Sequence, residues 1–287
     1  MWLLLFVFGL AVGSFLDVLA SRYDSDKFLL SKNVTHGRSG CVKCGKKLEW
    51  FELVPIISFA LQAGRCRSCK AKLSLEYPVV EILSGLIFVL VPFQVISSSN
   101  LQHPTSYISA FLWILVFLTL LLITLIDLRL NLIPDEASIF LVILGIFLII
   151  LTASQFSLAE GSFLGPYAAM AGLRQNIWLN HMLAAVSSGI FFGLIIVITR
   201  GRGMGGGDLK LGAALGVVFG WPDILALLVL AFIIGSLFGL GGIIRRKKTL
   251  KSAMPFGPFL ALASVLIFFF GGDLARLYLK LLNFIPQ

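Results

Sequence analysis

Long apolar runs separated by short polar stretches make up most of the chain. A membrane span needs roughly 20 predominantly apolar residues, and about eight segments approach that length. They lie near residues 1–20, 79–97, 107–126, 137–153, 181–199, 209–220, 223–244 and 255–271. The sixth segment is short, so seven spans plus a half-helix is an alternative count. The pattern predicts an all-α integral membrane protein with about eight transmembrane helices.

One sizeable polar segment interrupts this pattern between the first two spans. The chain is therefore expected to have three parts. They are a first transmembrane helix at 1–20, a polar insert at 21–77 and a multi-helix membrane domain at 78–287.

Composition and charge support a membrane location and suggest an orientation. Of the 287 residues 58% are apolar and 13% charged, and the mean hydropathy is +0.98, which is outside the usual range of soluble domains. Lys and Arg accumulate in cytoplasmic loops. With the N-terminus outside, 20 of the 23 basic residues fall inside, including the run 245–248, and only Arg174, Arg276 and Lys280 fall outside. The net charge of +9 is thus explained by topology and anionic lipid, and it requires no nucleic-acid partner.

The polar insert contains all four cysteines of the chain, in two CxxC pairs separated by 21 residues. This spacing allows four thiolates to surround one tetrahedral zinc ion. The charge distribution makes the insert cytoplasmic, where structural disulfides are rare. We therefore predict a structural zinc site, with two vicinal redox pairs or an empty reduced site as the alternatives. The predicted ligands are Cys41, Cys44, Cys66 and Cys69.

Two aspartates stand at the edges of apolar segments, on the side that this orientation makes cytoplasmic. Asp208 follows a glycine-rich turn and opens the sixth segment, and Asp127 closes the third segment. An ionisable group at the edge of a span is costly, so it suggests a functional site with a charged partner. Asp127 also lies at a helix C-terminus, where the helix dipole disfavours negative charge. We predict that Asp127 and Asp208 meet.

Two further acids lie near the same predicted face, and each has two possible roles. Asp17, close to the end of the first span, either reaches the site or lies among the lipid headgroups. Glu81, just inside the second span, either caps its own helix or faces the cavity with Asp127 and Asp208.

Glycines at four-residue spacing predict close helix packing. We expect the set in the sixth segment to bring Asp208 against the third segment. The glycines concerned are Gly9 and Gly13 in the first span, and Gly212, Gly216 and Gly220 in the sixth.

The sequence lacks the motifs of zinc proteases and of serine hydrolases. The histidines His36, His103 and His181 are scattered, so no HExxH helix exists, and no serine lies in a GxSxG turn. Two aspartates that share a site cannot both ionise comfortably, so one keeps a proton. The charged one then activates water while the other donates to the scissile carbonyl oxygen. These features indicate aspartic-protease chemistry, and two unrelated interface acids are the alternative.

Several motifs resemble those of the type IV prepilin peptidases. The stretch 203–208, Gly-Met-Gly-Gly-Gly-Asp, resembles their GxGD motif, and Asp127 followed by Ile133-Pro134-Asp135 resembles their other catalytic motif. Asp17 departs from the pattern, because the family usually has asparagine there. Further matches cover most of the chain in the family's order. They are residues 13–16, the two CxxC pairs, 52–55, 64–69, 77–81 and 255–259.

The resemblance implies a bifunctional enzyme of the bacterial inner membrane. Such an enzyme cleaves the leader of type IV pilin or type II secretion pseudopilin precursors, then N-methylates the new N-terminus with S-adenosylmethionine. By the same resemblance Asp127 and Asp208 are the catalytic pair and the four cysteines bind zinc. No recognisable adenosylmethionine-binding fold fits in residues 21–77, so methyl transfer rests on the resemblance alone. A GxGD peptidase without methyl transfer and a non-enzymatic zinc-bearing membrane protein remain as rival classes.

Overall fold

The structure is a computed structural model of the chain. It describes residues 1–24, 28, 29, 31, 34, 37–41, 43–98, 104–153, 162–164, 176–244 and 254–281. Within these ranges the protein is helical, and its only strand-like pairings are two isolated bridges, Gly40 with Lys47 and Arg65 with Lys72. Arg174 and the basic run 245–248, which carry part of the predicted charge bias, lie outside the described residues.

The helices follow one another with short connections where both ends are described. In chain order they are α1 (Trp2–Arg22), a 3-10 helix (Trp50–Leu53), α2 (Ile57–Leu61), α3 (Glu76–Ser98), α4 (Pro104–Leu130), α5 (Asp135–Thr152), α6 (Ile177–Thr199), α7 (Gly206–Phe219), α8 (Asp223–Ile244) and α9 (Gly257–Leu281).

Seven of these helices are long and apolar enough to cross a membrane, so the predicted all-α membrane fold is confirmed for the described residues. The two short helices α2 and α7 are not among the seven. Helix α7 has 14 residues and corresponds to the sixth apolar segment, the one whose length left the span count open.

The chain divides into two compact units, Met1–Ile126 and Asp127–Gln287. In the first unit, α1 packs closely along α3. A Cβ atom added to Gly9 would lie 2.8 Å from the Cα of Gly85, and one on Gly13 would lie 2.7 Å from the Cβ of Ser84. The predicted close packing of the first span is therefore confirmed, because larger residues would force the two helices apart.

In the second unit, α7 packs against both α5 and α6. A Cβ on Gly216 would lie 2.6 Å from the backbone of Ala185 in α6, and one on Gly145 of α5 would lie 3.0 Å from Val217. The glycine repeat thus does mediate close packing, and its partner is α6. A short turn joins α6 to α7, and consecutive elements with short connections usually pack side by side.

Polar side chains hold the far end of α7, and the sequence did not identify them. Asn180 of α6 accepts the N–H of Trp221 at 2.8 Å and donates its Nδ2 to the carbonyl of the same residue at 2.7 Å. Asp223, at the start of α8, accepts the Ser162 hydroxyl at 2.6 Å and the backbone N–H groups of Phe163 and Leu164. The turn after α7 is therefore fixed to the start of α6.

Candidate active site and metal centre

Asp127 lies in the last turn of α4. Its carbonyl accepts the N–H of Asn131 at 2.9 Å, and Asn131 has a left-handed φ of 52°, which ends the helix. The Asp127 side chain is only 4% exposed, and its Oδ2 accepts the backbone N–H of Gly257 at 2.9 Å. Gly257 is the first residue of α9, so the carboxylate faces the positive end of a second helix dipole.

The contact with Gly257 leaves no space for a side chain. A Cβ atom at this position would lie 2.7 Å from Asp127 Oδ2. The sequence did not predict this contact, although the motif 255–259 was among the resemblances. A glycine between two prolines at the start of an apolar segment is the signal that could have indicated it.

Asp208 is the third residue of α7. Its Oδ2 accepts the N–H of Gly205, the residue before the helix, at 3.2 Å. This is the carboxylate half of a capping box, and the first turn of a helix favours negative charge. Asp208 is half-buried.

Three contacts position the turn that carries Asp208. The N–H of Gly203 donates to Thr199 Oγ1 at 3.3 Å, at the end of α6. A Cβ on Gly207 would lie 3.1 Å from the Cβ of Ile133, so the turn approaches the segment after α4 closely. Lys210 Nζ lies 2.7 Å from both carboxylate oxygens of Asp135. The glycine turn is thus attached to α6 on one side and to the start of α5 on the other.

The second unit therefore contains both predicted acids, and the charge of Asp208 acts on the Asp127 carboxyl. Each accepts a backbone N–H at the N-terminus of a helix. Two carboxylates that repel each other in a partly desolvated site can share one proton, which provides a base and an acid together. The catalytic role of the pair stays a prediction.

Glu81 and Asp17 belong to the first unit. Glu81 Oε2 accepts the N–H of Ile56, in the insert, at 2.7 Å, and the Glu81 carboxyl interacts electrostatically with Asp17. Asp17 is 2% exposed, so it does not lie in an open headgroup layer. The carboxylate of Glu81 therefore anchors the insert to α3, a role that the sequence did not suggest.

The four cysteines come together in the insert. Their sulfur atoms all lie within 4.8 Å of one another, and Cys41 Sγ is 3.7 Å from Cys69 Sγ. Zinc–sulfur bonds of about 2.3 Å place the sulfurs of a regular tetrahedron about 3.8 Å apart. The four thiols therefore fit a zinc ion in spacing and in ligand type.

The two knuckles have equivalent backbone geometry. The N–H of Gly45 donates to the carbonyl of Cys41, and the N–H of Lys70 donates to the carbonyl of Cys66, both at 2.9 Å. The backbone N–H groups of Cys44 and Lys43 lower the pKa of the Cys41 thiol to about 6. A lowered pKa favours the thiolate, which is the form that binds metal.

A groove of about 300 Å³ lies beside α2, lined in part by Phe59 and Leu73. It carries Arg65 and Lys72 and has no acid among its lining residues. S-adenosylmethionine bears a sulfonium cation, which two neighbouring cations repel. The groove offers partners for the methionyl carboxylate of the cofactor but none for its sulfonium and ammonium groups.

Comparison with known proteins covers both units. Residues 7–95 match the bacterial peptidase A24 N-terminal domain, and residues 114–240 match the type IV leader peptidase family. No solved structure matches the chain.

Several relatives carry the name prepilin leader peptidase/N-methyltransferase, and three of them have the following similarity to this chain. The protein from Bacillus subtilis (strain 168) is 29% identical over 97% of this chain and 98% of its own length. Those from Aeromonas salmonicida (strain A449) and Aeromonas hydrophila are 30% and 31% identical, each over 96% of this chain and 93% of its own length. The similarity extends across both compact units, and the chain belongs to the type IV leader peptidase family.

Proposed function

We propose that this protein is an aspartic endopeptidase of the membrane that removes the leader of type IV prepilins or pseudopilins at the cytoplasmic face. We further propose that it N-methylates the new N-terminal residue. The observation that carries the peptidase proposal is that Asp127 and Asp208 lie in the same compact unit, where the charge of Asp208 acts on the Asp127 carboxyl. The names of the relatives support the substrate class and the second activity.

The proposed mechanism is one in which the two acids share one proton. The charged carboxylate removes a proton from the attacking water, and the protonated one donates to the scissile carbonyl oxygen. The N–H groups of Gly205 and Gly257 hold one oxygen of each carboxylate, which fixes their orientation. Backbone donors need no reorganisation during the reaction, so they preserve this geometry as charge moves between the two acids.

The cytoplasmic location of the site is inferred from the charge bias of the loops. A pair of acids at this face suits a substrate whose basic leader lies in the cytoplasm and whose apolar helix lies in the bilayer. Leader cleavage then takes place where the substrate leaves the membrane.

A mutational experiment tests the peptidase proposal. Purified enzyme in lipid nanodiscs is incubated with a prepilin peptide, and the cleavage point is determined by mass spectrometry. Asp127→Asn and Asp208→Asn should each abolish cleavage, and the double variant should be no worse than either, because groups that act as a unit are non-additive. Glu136→Gln, which neutralises the acid next to Asp135 in the first turn of α5, is the matched control and should cleave normally. Substantial cleavage by well-folded Asp208→Asn enzyme would sink the mechanism.

Methyl transfer is tested separately from cleavage. A pre-cleaved peptide and S-adenosylmethionine are given to the Asp208→Asn enzyme, and the mass of the peptide N-terminus is measured. If the methylation site is separate from the acid pair, the variant should methylate at the wild-type rate. Absence of methylation in the wild type as well would leave a GxGD peptidase without transferase activity.

We propose that Cys41, Cys44, Cys66 and Cys69 hold one structural zinc ion. A zinc ion on four thiolates supplies folding free energy to an insert with little core of its own. Metal analysis of protein never exposed to chelator should give about one zinc per chain. Chelation or Cys41→Ser should unfold the insert, seen as faster hydrogen exchange in residues 37–72, while the helical circular dichroism of the spans is kept. A metal content far below that ratio would contradict the site.

A further inference from the structure

The segment 50–61 lies between the two cysteine knuckles. It exposes large apolar side chains and buries an acidic one. Trp50 is 79% exposed and Leu61 is 83% exposed, whereas Glu52 is only 7% exposed. Glu52 turns inward because its Oε2 accepts the N–H of Glu49 at 3.0 Å. The outward side chains in this segment are the large apolar ones, namely Trp50, Phe51, Leu53, Ile57 and Leu61.

Such a surface is unfavourable in water. Scattered apolar residues are normal on a protein surface, but five large exposed ones within twelve residues indicate an interaction site. Helix α2 has no buried residue, so its exposed side chains are not directed to a core of the insert.

The hydrogen bond from Ile56 to Glu81 fixes the depth of this segment. Glu81 is the sixth residue of α3, about 7.5 Å along the helix axis from Glu76. Helix α2 starts immediately after Ile56, so it begins level with the second turn of a membrane-spanning helix. That depth corresponds to the boundary between lipid headgroups and acyl chains, where interfacial aromatic residues concentrate.

The charges around the segment match an anionic surface. The guanidinium of Arg67 lies over the ring of Phe51, 5.4 Å from its centre. Between residues 37 and 75 the sequence has eight basic residues and two acids. Basic side chains adjacent to an apolar face are typical of segments that bind anionic bilayers. The basic residues are Arg38, Lys43, Lys46, Lys47, Arg65, Arg67, Lys70 and Lys72.

We propose that the segment 50–61 is an interfacial anchor that docks the cysteine-bearing insert onto the anionic surface of the bilayer spanned by α1 and α3. Trp50, Ile57 and Leu61 enter the boundary layer, and the neighbouring cations face the lipid phosphates. The anchor keeps the knuckles at the membrane surface. This inference does not depend on the peptidase activity, because its residues belong to the first unit alone.

Fluorescence of Trp50 tests the anchor in the full chain. The wild type and Trp50→Phe are reconstituted in nanodiscs containing phosphatidylglycerol, and the difference between their emission spectra gives the contribution of Trp50. Lipids brominated near the headgroup should quench this contribution about twofold more than lipids brominated at the chain end. Acrylamide in the water phase should quench it weakly. Quenching by acrylamide without quenching by brominated lipid overturns the proposal, and so does shielding from both, which indicates a protein partner or a second copy.

A charge substitution gives an independent readout. Leu61→Glu should raise the acrylamide quenching of Trp50 about twofold, because a carboxylate resists entry into the boundary layer. Gln62→Glu, which adds the same charge one residue later on a half-buried side chain, is the matched control and should change the quenching little. Equal quenching in Leu61→Glu and the wild type overturns the proposal.

Discussion

The dipole of its own helix, α4, disfavours the negative charge of Asp127, whereas the dipole of α9 favours it. The C-terminal end of α4 disfavours a carboxylate, but the N-terminus of α9 supplies a backbone donor and the positive end of a dipole at the same point. Asp208 has the corresponding arrangement at the start of α7. Both acids are therefore oriented by helix N-termini, and neither depends on a flexible side chain for its position.

The residue most sensitive to change near Asp127 is Gly257. In Gly257→Ala the new methyl group would lie 2.7 Å from Asp127 Oδ2, so the carboxylate has to move. We expect kcat for prepilin peptide cleavage to fall about 10- to 100-fold, because catalysis tolerates little misplacement of a reacting group. The KM should change much less, since the substitution adds only one methyl group beside the carboxylate.

Gly206→Ala is the matched control for this substitution. Gly206 lies in the turn that carries Asp208, but a Cβ there has no atom within 4 Å. The variant should cleave at close to the wild-type rate. If Gly257→Ala retained wild-type kcat while folding normally, the orienting role of α9 would be wrong.

At this scale the sequence predicted the acids but not their donors. The sequence indicated Asp127 and Asp208 because an ionisable group at the edge of an apolar segment is costly in free energy. Gly257 is 130 residues from Asp127, and no local pattern in the chain reports such a contact. Glu81 was missed for the same reason, since its partner Ile56 lies in a different element.

Among elements, α5 and α7 are joined by one ion pair next to the active site. Lys210 and Asp135 are each more than half exposed, at 53% and 60%, so their pairing stabilises the fold by about 0–1 kcal/mol at most. The pair nevertheless connects the first turn of α7, which carries Asp208, to the first turn of α5. We expect the ion pair to position Asp208 rather than to stabilise the fold.

A charge swap separates these two contributions. Lys210→Asp and Asp135→Lys each place like charges together, and we expect kcat to fall about fivefold, corresponding to about 1 kcal/mol. The double variant restores the attraction and should recover most of the activity. The melting temperature should hardly change in any of the three. A double variant that is no better than the single ones would show that the pair does not position α7.

Local patterns predicted elements better than they predicted the partners of elements. The cysteine knuckles follow from the CxxC spacing, because each knuckle is closed by hydrogen bonds within a few residues. The glycine repeat of α7 correctly indicated close packing. It could not indicate α6 as the partner, because every neighbouring helix is apolar and a bilayer gives no hydrophobic preference for one of them.

For the whole molecule, the open question from the sequence is whether α7 crosses the membrane. Its 14 residues rise about 21 Å, less than the hydrocarbon thickness of about 30 Å. Its two ends are nevertheless attached to opposite ends of α6. Gly203 contacts Thr199 at one end, and Trp221 pairs with Asn180 at the other.

These attachments imply that α7 and its flanking turns cover the same thickness as α6. From Asn180 to Thr199, α6 rises about 28 Å. The glycine turn and the turn at Gly220 supply the length that α7 lacks, and the polar anchors Asn180 and Asp223 hold the second turn at the far end. We therefore expect eight crossings, with α7 as the shortest.

Reporter fusions show directly whether α7 crosses the membrane. An eighth crossing places all residues after α7 on the opposite side of the membrane. Alkaline phosphatase is active only outside the cytoplasm, and β-galactosidase only within it. Fusions after Lys47 and Arg202 should be active with β-galactosidase, and fusions after Pro222 and Lys280 with phosphatase, as the positive-inside bias requires. A re-entrant α7 instead places Pro222 and Lys280 in the cytoplasm. It would move the basic run 245–248 outside and remove the charge argument for a cytoplasmic site, so the Pro222 fusion decides between the two topologies.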